Sequence, residues 1–388
     1  MQVFNKKTAL SAGLLFSTTF SASAVTLSNK GWDFSFNGFL NTHAVYVDCD
    51  SGSAVVAGNA LLCLGENATS VSNGYSPASF SFSAKTEKQG WTLKATLAIE
   101  PGNTDNTAFN GSGDNKAYRA FFDVSHADYG SLKAGRDYGV FGIDIVLEDM
   151  SLGGVGASAS VRTPLNTSLG GAGYGYIFTD RLSQITYSYS TASGVDMAIG
   201  IYQPLDLISF GGNGYTGDTG SSRFGVHGKL RFNFDSGYVS TTFINQDVQT
   251  SFNDYSASAI DVTGAIDIGK THLVASAYSS KGMGYYGLLI DAADTQVNPR
   301  DSDGWFLQAT HILGNTKVGV NYGQSNVDLT ELDTSVQVAE QTKATFGVYH
   351  PVMDIFTLAF EASAIKAENH AGDDLSNSAI SIGVMTSF

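Results

Sequence analysis

Long stretches in which apolar and polar residues strictly alternate constrain this chain more than any other feature. Between Trp91 and Glu100, an apolar residue at every second position alternates with threonine, lysine, alanine or glutamate. The same period of two recurs in residues 78–87 and 356–363. Because successive side chains of a strand point to opposite faces, these stretches predict β-strands with one apolar and one small, polar face.

Sixteen such segments follow one another along the chain. Most are about 10 to 14 residues long, which is the length that a tilted membrane-spanning strand requires. We predict strands at residues 32–48, 76–88, 90–101, 117–127, 130–138, 181–190, 195–204, 221–233, 236–250, 256–269, 270–284, 304–313, 315–328, 341–352, 354–367 and 377–388.

The predicted connections alternate between tight turns and long segments. Turns such as Gln89-Gly90 and Met353-Asp354 are followed by connections as long as 139–180. Short periplasmic turns and long external loops are typical of bacterial outer-membrane barrels, and sixteen strands enclose a water-filled lumen. A soluble β-sandwich is the alternative, but we would expect it to have similar loop lengths at both ends and more surface charge.

The first residues resemble a secretory signal peptide. Lys6 and Lys7 precede an apolar stretch at 8–20, which ends in the small-residue sequence Ala22-Ser23-Ala24. The stretch is too short to span ~30 Å of hydrocarbon as an anchor. We therefore predict cleavage after Ala24 and a single barrel domain at residues 25–388 in the outer membrane, because no linker interrupts the strands.

Composition supports a membrane barrel and excludes one class of partner. Charged residues make up 15% of the chain, below the ~25% of soluble domains. The formal net charge is −15, and removal of the two leader lysines makes it −17. Nucleic acid is not an expected partner because phosphate binding requires a basic face. Carboxylates lining a pore would favour cations.

Cys49 and Cys63 are the two cysteines of the sequence. In an exported chain, two cysteines within one glycine- and serine-rich segment predict a disulfide in an external loop. Two free thiols are the alternative. A metal site is not expected because zinc requires further ligands.

No motif indicates catalysis or a cofactor. The seven histidines are scattered, and the chain contains neither His-Glu-x-x-His nor Gly-x-Ser-x-Gly. We therefore expect no enzyme activity.

Two stretches resemble a known family. The last strand ends on Phe388 after an alternating apolar set, as the final strand of Gram-negative outer-membrane proteins does, and its carboxylate is expected to pair with a cation near the start, such as Lys30. The segment Asp128-Tyr129-Gly130-Ser131-Leu132-Lys133-Ala134-Gly135-Arg136-Asp137-Tyr138-Gly139 is similar to the strand-turn-strand that precedes the third external loop of general porins.

This resemblance implies a sixteen-stranded homotrimer in the lipid bilayer beside lipopolysaccharide, with a third loop folded into the barrel. The loop of that family often carries Pro-Glu-Phe-Gly-Gly, whereas residues 148–154 here read Glu-Asp-Met-Ser-Leu-Gly-Gly. The acid and the glycines remain without the proline and the phenylalanine, which leaves open how deeply the loop enters the lumen.

A porin needs no covalent chemistry, so its functional site is a constriction in which acids on the loop face bases on the wall. The predicted acids are Asp144, Glu148 and Asp149. The predicted wall bases are Lys85, Lys94, Arg119, Arg136 and Lys343. Strand parity places four of them on the polar face, while Arg136 matches the family motif but has the parity of Leu132; Arg162 is a weaker candidate.

The expected function is passive diffusion of small hydrophilic solutes and ions with a mild preference for cations. A substrate-selective porin, for example for oligosaccharides, is one alternative, in which Phe121 or Tyr349 would stack on sugars. An adhesin-like surface barrel is a second alternative.

Overall fold

The computed structural model describes residues 25–50, 52–59, 63–101, 118–158, 167–209, 214–215, 217–287 and 289–388, so the predicted signal peptide and Arg162 lie outside the described residues. The strands are β1 Val25–Asn29, β2 Trp32–Asp48, β3 Ala68–Ser72, β4 Ser79–Lys88, β5 Trp91–Ile99, β6 Tyr118–His126, β7 Gly130–Tyr138, β8 Arg181–Ser190, β9 Val195–Tyr202, β10 Gly225–Phe234, β11 Gly237–Gln249, β12 Asp254–Ile268, β13 Thr271–Lys281, β14 Asp301–Leu313, β15 Thr316–Val327, β16 Val338–Met353, β17 Phe356–Asn369 and β18 Asp374–Ser387.

These strands form one closed antiparallel sheet. Each strand pairs with its neighbours in the chain, and β18 closes the barrel by pairing with β2. Two positions of the wall each hold two strands: β3 and β4 pair with successive parts of β2, and β1 continues the line of β18. Eighteen strands therefore occupy sixteen positions, and the predicted sixteen-stranded barrel is confirmed.

Most strand ends differ from the predicted ones by one to four residues, and two differences are larger. The hairpin between β1 and β2 was not predicted, and the wall position assigned to 76–88 begins earlier and is interrupted between Ser72 and Ser79. At this interruption the backbone bonds to a loop instead of a strand: Tyr75 N donates to Gly154 O at 2.7 Å, and Ser168 N donates to Gly74 O at 3.1 Å.

The two faces of the sheet differ in polarity, as the alternation predicts. In β14, Trp305 and Leu307 point outward, while Ser302, Gln308 and Thr310 are buried on the inward face. Large apolar side chains facing outward suit contact with lipid, and polar side chains facing inward suit a water-filled lumen. Among the described residues, no helix is long and apolar enough to cross a membrane.

The connections at one end are tight turns, as at Gln89-Gly90, where both residues have positive φ. At the other end we name the external loops by number: L1 49–67, L2 100–117, L3 139–180, L4 203–224, L5 250–253, L6 282–300, L7 328–337 and L8 370–373. A disulfide joins Cys49 to Cys63 within L1, with the two Cα atoms 5.1 Å apart.

The last residue, Phe388, pairs with β2. Gly38 N donates to Phe388 O at 2.9 Å, and Phe388 N donates to Gly38 O at 3.1 Å. Lys30 lies in the turn of the β1–β2 hairpin, beyond Trp32. The residues of β2 that pair with β1 separate Lys30 from Gly38, where Phe388 pairs. Among the described residues, Lys30 therefore forms no ion pair with the terminal carboxylate.

Candidate pore constriction

L3 leaves the wall after β7 and folds into the barrel. It contains a helix, α1 Ile143–Glu148, and a short 3-10 helix, Met150–Gly153. Gly142, with φ 69°, turns the chain into α1, and the side chain of Asp149 caps the 3-10 helix by accepting from Ser151 N at 2.8 Å. Most of this segment is buried, as expected for a loop enclosed by the barrel.

Inward side chains of distant strands hold L3 in place. Gln308 of β14 accepts from Met150 N at 2.7 Å and donates to Glu148 O at 2.6 Å. Glu361 of β17 accepts from Val155 N at 2.6 Å and from Gly156 N at 2.7 Å. L3 thus follows the inner wall past β17 to the interruption between β3 and β4. The missing proline and phenylalanine do not keep it out of the barrel.

Asp144 is buried between two cations of β10. Its Oδ1 lies 3.1 Å from Lys229 Nζ and 3.3 Å from Arg231 Nη1. Burial alone would raise the pKa of Asp144, but the two cations outweigh it and hold the pKa below its usual range. Asp144 therefore stays ionised and fixes the start of α1 to the wall.

Glu148 and Asp149 have different partners. His272 Nε2 of β13 lies 2.8 Å from Glu148 Oε2, and its Nδ1 lies 2.7 Å from Asp267 Oδ1. Asp149 is buried, and its Oδ2 accepts from the Tyr176 hydroxyl at 2.6 Å and from Gly171 N at 2.8 Å. Asp149 therefore joins two parts of L3 to each other, and its Oδ1 also accepts from Asn321 Nδ2 of β15 at 3.4 Å.

Three predicted bases lie on the inward face of β4–β6. Lys85 and Lys94 are cross-strand neighbours, flanked in register by Asp33 and Asp123. Arg119 Nε donates to Glu100 Oε1 at 2.8 Å, and its Nη1 lies 3.5 Å from Asp137 Oδ1.

The other two predicted wall bases require correction. Lys343 faces inward but is fully buried under L3, where its Nζ donates to Gly170 O at 2.7 Å, so it does not line the open lumen. Arg136 pairs with Ala120 and shares its outward face. Its guanidinium lies 5.3 Å from the ring centre of Tyr118. Strand parity, not the family motif, gave the correct face.

Several charged residues of the site were not predicted. Lys133 pairs with Asp137 on the inward face of β7, and Arg181 pairs with Glu100. Lys133, Lys229, Arg231 and His272 all lie on inward faces, so parity applied to every strand would have found them.

The wall opposite L3 is therefore mixed in charge. Its inward bases are Lys85, Lys94, Arg119 and Lys133, and its acids are Asp33, Glu100, Asp123 and Asp137. Across β2, β4, β5 and β6, the neighbouring pair Lys85 and Lys94 lies between Asp33 and Asp123, so the predicted bases share this wall with acids. Within the described ranges, no group of three or more His, Cys, Asp or Glu side chains could hold a metal ion.

Comparison with known proteins gives one family and one fold. A family model described as Gram-negative porin matches residues 8–370. No curated protein matches the sequence. The outer membrane channel DcaP of Acinetobacter baumannii is 13% identical with a TM-score of 0.69, and the match covers 93% of this chain and 99% of that chain.

Two further solved structures have the same fold. The anion-selective porin from Comamonas acidovorans is 13% identical with a TM-score of 0.65, covering 92% of this chain and 100% of that chain. The outer membrane protein OmpT of Vibrio cholerae, in its trimer form, is 15% identical with a TM-score of 0.58, covering 92% and 100%. At such identities these similarities establish the fold alone.

Proposed function

The chain belongs to the Gram-negative porin family of outer-membrane channels for passive diffusion, and we propose that it passes small hydrophilic solutes and ions with a mild preference for cations. The observation that carries this proposal is the difference between the two sides of the barrel interior. Inward side chains of β11–β17 are mostly buried, whereas those of β4–β7 and of the first part of β2, up to Phe39, are mostly exposed in part. A polar passage beside β2–β7 suits hydrated solutes.

The external loops support a preference for cations. The described residues of L1 and L4–L8 include ten acids and two bases. The acids are Asp50, Glu66, Asp206, Asp218, Asp291, Asp294, Asp328, Glu331, Asp333 and Asp373, and the bases are Arg223 and Arg300. An acidic mouth concentrates cations, and the mixed wall adds no opposing positive field. The Comamonas porin is described as anion-selective, so this preference is a property that we propose for this chain and not for the fold.

The test is single-channel recording of refolded protein in a planar bilayer, with reversal potentials in a salt gradient. We expect open-channel currents whose reversal potential indicates a modest excess of cation over anion permeability. A reversal potential of the opposite sign would contradict the cation preference, and the absence of any conductance would contradict the channel itself.

We also propose that the protein is a homotrimer embedded in the bilayer beside lipopolysaccharide, and that residues 1–24 direct export and are removed after Ala24. The Vibrio protein of the same fold is described in a trimer form, which supports the first part. Native mass spectrometry of the purified protein tests both proposals, because it gives the number of subunits and the mass of the mature chain. A monomer, or a mass that includes the leader, would contradict them.

A substrate-selective channel is the alternative within transport. The structure gives little support to the predicted sugar-stacking residues, because Tyr349 is buried and its hydroxyl donates to Glu361, while Lys133 Nζ lies 5.1 Å from the ring centre of Phe121. Concentration-dependent block by one sugar in the same recordings would favour the selective channel, and a barrel that binds surfaces without conducting would favour an adhesin. Passive diffusion through the channel requires no catalytic residue and no cofactor.

A further inference from the structure

L6 is unusually buried for an external loop. Of its eighteen described residues, 282–287 and 289–300, fourteen are buried, and Thr295 and Gln296 are the exposed ones. A connection that lay over the rim would leave most of its side chains in water. The burial therefore indicates that L6 folds inward, as L3 does.

Backbone and side-chain contacts join L6 to L3 and L4. Ile208 N of L4 donates to Leu289 O at 3.1 Å, and Asp291 N donates to Ile208 O at 2.7 Å. On the L3 side, a Cβ at Gly287 would lie 2.3 Å from Phe178 O, so only glycine allows this approach. The three loops therefore form one packed unit.

The tip of L6 contacts both β16 and L1. The hydroxyl of Tyr286 donates to Gln341 Oε1 of β16 at 2.7 Å, and the hydroxyl of Tyr285 donates to Gly58 O of L1 at 3.0 Å. Both rings belong to an apolar cluster with Ile365 of β17 and Leu375 of β18.

The base of L6 fills the space beside the other half of the wall. Leu289 and Val297 lie in one apolar cluster with Leu182 of β8, Tyr202 of β9 and Ile244 of β11. In an open lumen, these inward side chains of β8, β9 and β11 would face water. Here they belong to the same buried cluster as residues of L6. L6 thus belongs to two apolar clusters that include inward residues of β8, β9, β11, β17 and β18.

A buried ion pair fixes the end of L6. Arg300 is 1% exposed, and its guanidinium donates to Asp333 of L7 at 2.6 and 2.7 Å and to the carbonyl oxygens of Asp291 and Ala293 at 2.9 and 3.0 Å. Four hydrogen bonds hold the buried guanidinium in one position. Separating Arg300 from Asp333 would leave a buried charge without compensation, so the attachment is costly to break.

We propose that L6 is a second constricting loop, which closes the external mouth beside β8–β18 and sets the upper size of the solutes that pass beside β2–β7. This role of L6 depends on the proposed channel function. L3 narrows the barrel at mid-height and L6 narrows it above, so the size limit at the external mouth depends on a segment of chain that no strand pattern reveals.

The first test replaces residues 284–299 with a short glycine-serine linker, which leaves β13 and β14 connected. We expect single-channel conductance to rise about twofold and liposome swelling to admit sugars that the native protein excludes, because the external cross-section widens. An excised variant with native conductance and a native size limit overturns the proposal. If the native protein does not conduct, the proposed function fails instead, so the two failures are distinguishable.

A point variant with a matched control keeps the test independent of loop excision. Arg300→Ala removes the attachment to L7, and Arg223→Ala removes the same charge from an external arginine that is 77% exposed and bonded to Asp247. We expect larger sugars to permeate Arg300→Ala and not Arg223→Ala. Identical size limits for both variants and the native protein contradict the proposal, as does an equal increase in both.

Discussion

Asp144 offers a prediction at the scale of one residue. Because its carboxylate compensates Lys229 and Arg231, Asp144→Asn leaves two cations beside the lumen without a carboxylate partner. We expect the ratio of cation to anion permeability to fall roughly twofold, as a local positive field repels cations. Reversal potentials measure this ratio. The control Asp354→Asn removes the same charge from an exposed periplasmic turn; an equal shift there would show that only net charge matters.

Glu361 offers a second prediction at this scale, because two backbone N–H groups of L3 depend on it. Glu361→Ala leaves both donors buried without an acceptor, at a cost of about 1–3 kcal/mol each. We expect a lower midpoint of thermal unfolding and noisier open-channel current as L3 loosens. Glu361→Gln should recover part of the loss, because its carbonyl oxygen still accepts.

The control for Glu361 is Glu368 of the same strand, which is half-exposed and lies 3.0 Å from Lys366 Nζ. An exposed ion pair contributes at most about 1 kcal/mol, so Glu368→Ala should change neither the midpoint nor the noise appreciably. If the two alanine variants behave alike, Glu361 does not hold L3.

At the scale of whole loops, the attachment of L6 to L7 predicts how conductance depends on pH. Burial raises the pKa of Asp333, but the hydrogen bond and charge of Arg300 outweigh it, and the pKa lies below its usual range. The stabilisation is therefore complete above the unfolded-state pKa of about 3.9 and is lost as pH falls through the lower folded-state value.

We expect constant conductance from pH ~8 to ~5 and a rise only below pH ~4, when Asp333 is protonated and L6 is released. Single-channel recordings over a series of pH values measure this dependence. Arg300→Ala should have the higher conductance at every pH and show no step. A step near neutral pH would mean that another group controls the loop.

The strands and the loops differ in how well the sequence predicts them. Strand positions and inward faces follow from a local period of two, so Lys85, Lys94 and Arg119 were placed on the correct face. The loops depend on contacts between distant residues: Glu361 and Val155 are 206 residues apart, and nothing near Lys343 in the sequence shows that L3 will cover it. Parity predicts on which face of a strand a side chain lies. Whether an inward side chain lines the lumen or is covered depends on how the loops fold.

At the scale of the whole molecule, the barrel depends on the pairing of its last strand with β2. This pairing joins residues near opposite ends of the chain, so it forms against the largest loss of chain entropy of any strand pair. Phe388 lies at the seam, with its ring centre 5.6 Å from that of Phe36 and 6.3 Å from that of Phe80. The aromatic contacts therefore strengthen a pairing whose two strands are not joined by any turn or loop.

Gly38 makes room for the Phe388 ring, which gives a direct test of the seam. A Cβ at Gly38 would lie 2.4 Å from Cζ of Phe388, whereas a Cβ at Gly264, also on the outward face, would meet nothing closer than 3.7 Å. Gly38→Val should therefore destabilise the refolded barrel by about 1–3 kcal/mol, while Gly264→Val should not. Urea unfolding in detergent measures the difference.

Because Phe388→Ala removes the clashing ring, the double variant Gly38→Val/Phe388→Ala should be more stable than the sum of the two single losses predicts. Additive losses would mean that the ring and the glycine are not coupled, and that the seam is held by its backbone hydrogen bonds alone.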